Sequence, residues 1–465
     1  MIKLNIYLLI ISGLLLSSIA TKAGNVDNAK SWKAGVACIK ITPEESMWLA
    51  GYIVRDHPSE GKLHDLWAKA IAFEDSDGNR SVLITTDLVG IQKKMSDNIR
   101  DRLNKKYNFS RSQIILNSSH THQGPVVSQR QVYTYNLNVG EATKIAKYAK
   151  IVEEQIIKIV GKALKVMEPV DIYSGNGLTR FQVNRRTNDE STLTALTELK
   201  GPNDYAVPVL KVVNKKGKIK AIAFGYACHA TVTNEYKWSG DYPGFAQIEL
   251  EKMYPGAVAL FFQGAAGNQN PLPRRSNALA QKYGVELANA VKCTLESEMR
   301  ELNPSLSVAY SEIDLPMENP PSEQELVEMA KLYSDTAKTV TEKVIKNWTK
   351  RMLEILSNGK SLEDVYSGYP LQTWKLGDQL IIVMGGEPVI QYSIHFKELY
   401  GLETFVMGYS NDEMAYIPTS EILQQGGYEG KISQMACMLP AKWKPVIEEM
   451  IIKEVDKLVL IATSE

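Results

Sequence analysis

The chain is poor in the residues that most often announce a site. It has six histidines and four cysteines in 465 residues. None of the cysteines (Cys38, Cys228, Cys293, Cys437) falls in a C-x-x-C pair, which excludes a cysteine-built zinc knot. No disulfide pairing is assigned, and Cys228, inside an apolar run, reads as a buried thiol. Neither sign of charge is in excess, with 53 basic against 53 acidic residues, so nothing recommends nucleic acid or an anionic membrane as a partner. There is no G-x-S-x-G; "GYSND" from Gly408 has the serine without the second glycine. No Lys-Ser/Thr follows the glycine-rich "GAAGN", which excludes a phosphate-cradling loop, and no H-E-x-x-H is present. Internal repeats, low-complexity tracts and Ser/Gly linkers are also lacking. With 44% hydrophobic and 23% charged residues, one α/β domain is the simplest expectation.

What is present begins with an export signal. Lys3 gives a positive start, Leu4 to Ile19 is mostly apolar, and small-x-small cleavage patterns end at Ala20 and Ala23. Residues 1–23 are therefore expected to be a signal peptide, the alternative being an uncleaved anchor, and the mature protein periplasmic or secreted. The apolar run is short for a membrane span, no cysteine follows it as in a lipoprotein, and no later segment approaches a span.

Apolar strand-like runs alternate with helical spacing over the rest, 24–465. Strands are expected at 81–86, 113–116, 207–213, 219–226, 257–263, 380–384 and 405–408, and helices at 95–107, 143–167, 245–253 and 442–460. The segment 322–357, charged and free of Gly and Pro, reads as a helical insert or lid. Polar clusters follow the strand-like runs: Asp87, His120, His229, Gln263 to Asn270, Glu387, and Ser410 to Asp412. In α/β sheets, ligands and chemistry collect beyond the carboxyl ends of strands.

"NSSHTHQGP", Asn117 to Pro125, places two histidines two residues apart, a spacing that puts both on one side of a strand. His120 or His122, with His229 and Glu387, could supply an N, N, O set for zinc, or each could be a polar residue at a strand end. His64 and Asp65 sit near a site or cap a strand. Arg180, Arg185 and Arg186 bind an anionic or carbonyl group or line a solvated turn. His57 and His395 are read as structural.

These segments, together with "NRR", "SGDYPGFA", "FFQGAAGNQNP", "GGEP" and "GYSNDEMAYIPTSEILQQGGYEG", occur in an order that resembles the neutral (non-lysosomal) ceramidase superfamily, and most of all its shorter bacterial ceramidase-like members. The resemblance runs from about Lys33 to Leu460. It implies a mixed-sheet α/β zinc-hydrolase domain and hydrolysis of an amide bond. It implies zinc held by His120, His229, Glu387 and Tyr416. His122 and Tyr428 would face the scissile carbonyl, and Arg185 would lie in the pocket. Asp241 then reads as a partner of a ligand histidine or as a helix N-cap.

The sequence also departs from the family. Ceramidases carry a serine in a G-D-x-S-P-N loop; here the loop reads Gly267-Asn-Gln-Asn270-Pro271, and Asn270 stands at the serine's position. Val126-Val127 replaces a glycine pair, and the long C-terminal immunoglobulin-like domain has no counterpart. The resemblance thus implies a retained metal site beside altered ceramide-specific parts. The expected activity is hydrolysis of an amide in a small lipid-like or glycan-derived molecule. The alternatives are an ester or saccharide-linked substrate, or a binding protein that has lost turnover.

Overall fold

The computed structural model describes residues 31–194, 196–333 and 337–464; the expected signal segment lies outside the described residues. Two β-sheets face each other. The larger has eight strands in the spatial order Val258–Gln263, Ile219–Tyr226, Ala206–Asn214, Glu168–Leu178, Trp32–Lys40, Trp67–Glu74, Arg80–Thr86 and Ile114–Ser118, with Arg300–Glu301 added beside Glu168–Leu178. The smaller runs Leu306–Pro316, Val365–Leu376, Gln379–Met384, Phe405–Met407. Their inner faces share one core, in which Trp32, Phe73, Leu83, Ile115 and Phe262 of the large sheet meet Trp374, Ile381, Val383 and Met407 of the small one. Helices cover the outer faces. Val139–Lys165 packs over one half of the large sheet, Asp241–Met253 and Asn277–Glu296 over the other, and Ile390–Tyr400 and Ile447–Thr463 over the small sheet. Strands covered on both faces carry no polar alternation, which is why Ser-Val-Leu-Ile-Thr-Thr at 81–86 is buried throughout.

The expected elements all occur, with shifted ends. The last helix starts at Ile447 and not near Lys442, because Trp443 is engaged beforehand: it bridges Met317, and its indole N–H donates to Tyr416 O at 2.8 Å. The helix expected from Phe245 starts at Asp241. The segment 322–357 holds two helices, Glu323–Tyr333 and Val340–Ser357, packed through Leu326, Trp348 and Met352.

Within the two facing sheets three pairs of neighbouring strands are parallel: Arg80–Thr86 with Ile114–Ser118, Ile219–Tyr226 with Val258–Gln263, and Gln379–Met384 with Phe405–Met407. Their carboxyl ends meet, and Asn117 joins them. Its Oδ1 accepts from Gln263 N–H at 2.8 Å, and its Nδ2 donates to Gly408 O at 2.9 Å and Ser410 Oγ at 3.0 Å. Replacing Asn117 by Ala strands a buried N–H and opens a polar hole between the sheets. The expected cost is about 2–4 kcal/mol in urea unfolding, since an orphaned buried donor alone costs about 1–3 kcal/mol. A loss below about 1 kcal/mol would assign the junction to other contacts.

Candidate metal centre and its cavity

His120 lies two residues past Ser118, His229 three past Tyr226, and Glu387 three past Met384, so the three come from the ends of the three parallel pairs. Tyr416 joins through a short parallel pairing, Glu387 beside Tyr416. All four are buried. His120 Nε2 and His229 Nε2 each lie 3.3 Å from Glu387 Oε2. Tyr416 OH lies 3.0 Å from His229 Nε2, and His122 Nε2 lies 3.2 Å from His120 Nε2. One ring nitrogen each of His120, His122 and His229 lies within 4.8 Å of the other two, so the cluster could hold a metal.

The backbone sets the chemistry of two of these rings. His120 Nδ1–H donates to Val89 O at 2.6 Å, and His229 Nδ1–H donates to Ala266 O at 2.8 Å. In its neutral form each therefore turns an Nε2 lone pair toward the Glu387 carboxylate, and without a metal, although burial opposes it, that carboxylate raises the pKa of His120 and favours a proton there. Acceptors facing one another in a buried site are mutually repulsive unless a cation lies among them. Donors held about 2.0–2.1 Å from one zinc at tetrahedral angles sit roughly 3.3 Å apart, which matches the spacing here. His120, His229, Glu387 and Tyr416 thus fit a zinc ion in donor type and separation.

His122 differs from its neighbour. Its Nδ1 is buried without a hydrogen-bond partner. Burial, together with His120 and His229, holds its pKa well below the usual imidazole value, so it is neutral. The ring is placed by packing: Tyr52 lies edge-on at 4.7 Å, and Gly51, at φ +93°, brings backbone so close that a Cβ there would fall 2.2 Å from His122 Cγ. His120 itself sits at φ +58°, a conformation few non-glycine residues adopt and one that clusters at functional sites.

Arg185 and Asn270 close the opposite side. Arg185 donates from Nη2 to Tyr416 OH at 3.2 Å and Gly267 O at 2.8 Å, from Nη1 to Asn270 Oδ1 at 3.3 Å, and from Nε to Glu429 Oε1 at 2.7 Å. A guanidinium only donates, so Asn270 presents its oxygen to Arg185 and keeps its NH2 for the cavity. Tyr428 stands at the rim, 47% exposed, its ring edge-on to Tyr416 at 5.4 Å. The cavity they line measures about 500 Å³. Val340 and Val344 of the inserted helix pair form part of its apolar wall.

Two of the expected residues lie elsewhere. His64 Nε2 bonds Ser239 Oγ at 3.1 Å and its Nδ1 meets Asp65 O, while the ring packs so tightly on Gly244 that a Cβ there would fall 2.4 Å away. It braces a helix start and touches none of the ligands. Asp241 bonds neither ligand histidine, whose Nδ1 atoms use backbone carbonyls, and it makes no side-chain N-cap. Its carboxylate accepts from the amides of Thr233 at 3.0 Å and Tyr242 at 2.7 Å, and burial pushes its pKa up to about 6. Of the arginines in "TRFQVNRR", Arg180 stacks on Tyr205 away from the centre, and Arg186 pairs with Glu429 at 2.8 Å. His57 is paired with Asp56 and stacked on Tyr236.

Sequence reasoning missed four participants. Tyr409, in the left-handed region at φ +49°, packs its ring 4.4 Å from His120 and donates to Glu387 Oε2 at 3.4 Å. It follows a strand end, as the ligands do, and that position was its one signal. Glu429 binds both Arg185 and Arg186, and Arg130 pairs with Glu413 at 2.7 Å beside the cavity. No spacing in the sequence marks these pairs.

A family model described as neutral/alkaline non-lysosomal ceramidase, N-terminal, matches residues 32–294. Neutral ceramidase B of Dictyostelium discoideum is 26% identical over 227 residues, 44% of this chain and 31% of that protein. Neutral ceramidase A of the same organism is 24% identical over 266 residues, 52% and 36% of the two chains. The matched part therefore spans about a third of the length of these relatives. A crystal structure of neutral ceramidase from Pseudomonas aeruginosa superposes over 93% of this chain and 74% of its own with a TM-score of 0.71 at 18% identity. A structure described as ceramidase complexed with C2 gives 0.71 at 17% identity, over 93% and 75%. At these identities the structural likeness is one of fold.

Proposed function

Since the chain belongs to the neutral/alkaline non-lysosomal ceramidase family, we propose that it is an exported zinc-dependent hydrolase acting on an amide, or a similar bond, in a small lipid-like molecule. One observation carries the metal reading. The Nε2 atoms of His120 and His229 converge with the carboxylate of Glu387 in a buried site, at the separations of a zinc shell. Zinc bound there would polarise a substrate carbonyl and lower the pKa of a bound water from about 16 to about 7.

The chain's own residues do the rest. His122 and Tyr428 face the cavity from two sides and are the donors for an oxyanion at the scissile carbon; losing one such donor costs about 3–4 kcal/mol of barrier. Asn270 donates its NH2 to water or substrate, with its oxygen fixed by Arg185. Arg185 holds the Tyr416 hydroxyl in place. The export assignment rests on the N-terminal sequence pattern. Among the described residues no helix is long and apolar enough to cross a membrane.

An amide side chain at 270 cannot act as a nucleophile, and this favours a substrate other than ceramide, with an ester or a saccharide-linked molecule as the competing classes. Elemental analysis of the purified protein should find close to one zinc per chain, and His229→Ala should lose it. A protein that neither carries zinc nor takes it up ends the hydrolase reading. With zinc bound, a screen of amides, esters and glycosides identifies the bond, and no turnover on any class leaves a binding protein on this fold.

A further inference from the structure

A second, smaller cavity of about 260 Å³ adjoins the metal cavity, and Tyr52, Val54 and Arg275 line both. Arg55 lines the smaller one as well. The two arginines stand over the ring of Tyr52, Arg55 at 5.3 Å and Arg275 at 5.4 Å from its centre, and that ring lies against His122. Neither guanidinium has a carboxylate in ion-pair contact among the described residues.

Arg55 is 6% exposed, and its Nε is buried with no hydrogen-bond partner. Its other nitrogens reach only backbone oxygens, Glu235 O at 3.2 Å and His122 O at 2.9 Å. Tyr236 stacks beside it at 4.9 Å. The acids of this neighbourhood are engaged elsewhere. Asp56 accepts from the Tyr236 hydroxyl, Glu235 meets Lys237 and Asn277, and Asp241 is taken by the backbone amides of Thr233 and Tyr242. A buried, uncompensated guanidinium is expensive, and such groups are normally paired.

Arg275 differs from its neighbour Arg274, which Glu190 neutralises at 2.9 Å. It is held at φ +84°, outside the conformations ordinary side chains prefer, with its amide donating to Val232 O. Its guanidinium is exposed and unpaired, so five N–H donors are available in a planar fork.

We propose that this side cavity is an anion subsite, in which Arg275, backed by the buried charge of Arg55, receives a carboxylate, sulfonate or phosphate group of the ligand whose scissile bond lies at His122. The proposal rests on the hydrolase reading for the word scissile, and on the side cavity alone for binding. It narrows the substrate class to anionic amphiphiles, with the charge one aromatic ring away from the reacting carbonyl and the apolar part against Val340 and Val344.

The test uses four N-acyl compounds of equal chain length: N-acylglycine, N-acyltaurine and N-acylphosphoethanolamine as anions, and N-acylethanolamine as the neutral comparator. Calorimetric titration of the chelator-treated full chain should show at least one anion binding tenfold or more tighter than the comparator, and the ranking identifies the oxyanion. Arg275→Gln should erase that preference, and Arg275→Lys should keep part of it. In the zinc-loaded protein the same preference should appear in KM. Binding preference without turnover would retain the subsite and end the hydrolase reading. Equal binding of all four compounds, or equal weakening of all four by Arg275→Gln, would overturn the subsite whatever the turnover.

Discussion

Glu387→Gln is expected to abolish zinc retention and to lower kcat/KM by at least about 10³-fold, equivalent to about 4 kcal/mol of barrier. The substitution keeps the side chain's shape and removes its charge, so its effect on stability separates two descriptions of the same contacts. If the cluster is a metal centre, zinc raises the Tm of the wild type and not of the variant. Chelator then brings the two proteins together, because a glutamine NH2 can donate to the lone pairs of His120 and His229 that the carboxylate oxygen faces at 3.3 Å. If the cluster is a plain His–Glu ion pair, the variant is less stable by the same amount with zinc or with chelator, since breaking a buried pair costs about 3–5 kcal/mol whatever the metal. Scanning calorimetry under both conditions decides between them.

The fold was readable where the physics is local. Buried strands such as 81–86 and 219–226 are apolar runs, and the helix Val139–Lys165 repeats its buried residues at helical spacing. The strand-end rule gathers His120, His229 and Glu387 from the sequence, because parallel strands deliver their carboxyl ends to one edge. Two kinds of feature stayed hidden. The first is pairing across distant segments: Glu429 and Arg185 are 244 residues apart, and neither is periodic with anything. The second is the identity of a hydrogen-bond partner. Asp241 reads from sequence either as a partner of His120 or His229 or as a helix N-cap, but the carbonyls of Val89 and Ala266 already hold those two rings, and main-chain atoms leave no mark in a sequence. The family resemblance assigns His120 and His122 different roles, and their surroundings differ too: His120 Nδ1 meets the Val89 carbonyl and His122 Nδ1 has no partner.

Glu429→Gln should be the most destabilising polar substitution near the cavity. One buried carboxylate accepts from two guanidiniums, Arg185 at 2.7 Å and Arg186 at 2.8 Å, and its removal leaves both cations without a counter-charge, at a cost of about 3–5 kcal/mol. Burial works against ionisation of Glu429, but Arg185 and Arg186 outweigh it and hold its pKa below the usual 4.5. A carboxyl depressed in the folded state contributes stability that is present above its unfolded pKa and is lost as pH falls through the folded value. Wild-type stability should therefore drop on acidification below about pH 4.5 by an increment that the Gln variant lacks. The damage should also reach the metal cavity. Freed from Glu429, Arg185 no longer holds the Tyr416 hydroxyl and the Asn270 oxygen together, so turnover should fall even under conditions where the variant is fully folded. Adding Arg185→Met should restore part of the stability, because one unpaired buried charge is removed, and restore none of the activity. Urea unfolding of the two single variants and the double variant gives the coupling directly. A double variant whose loss equals the sum of the singles would show that Glu429 acts through Arg186 alone.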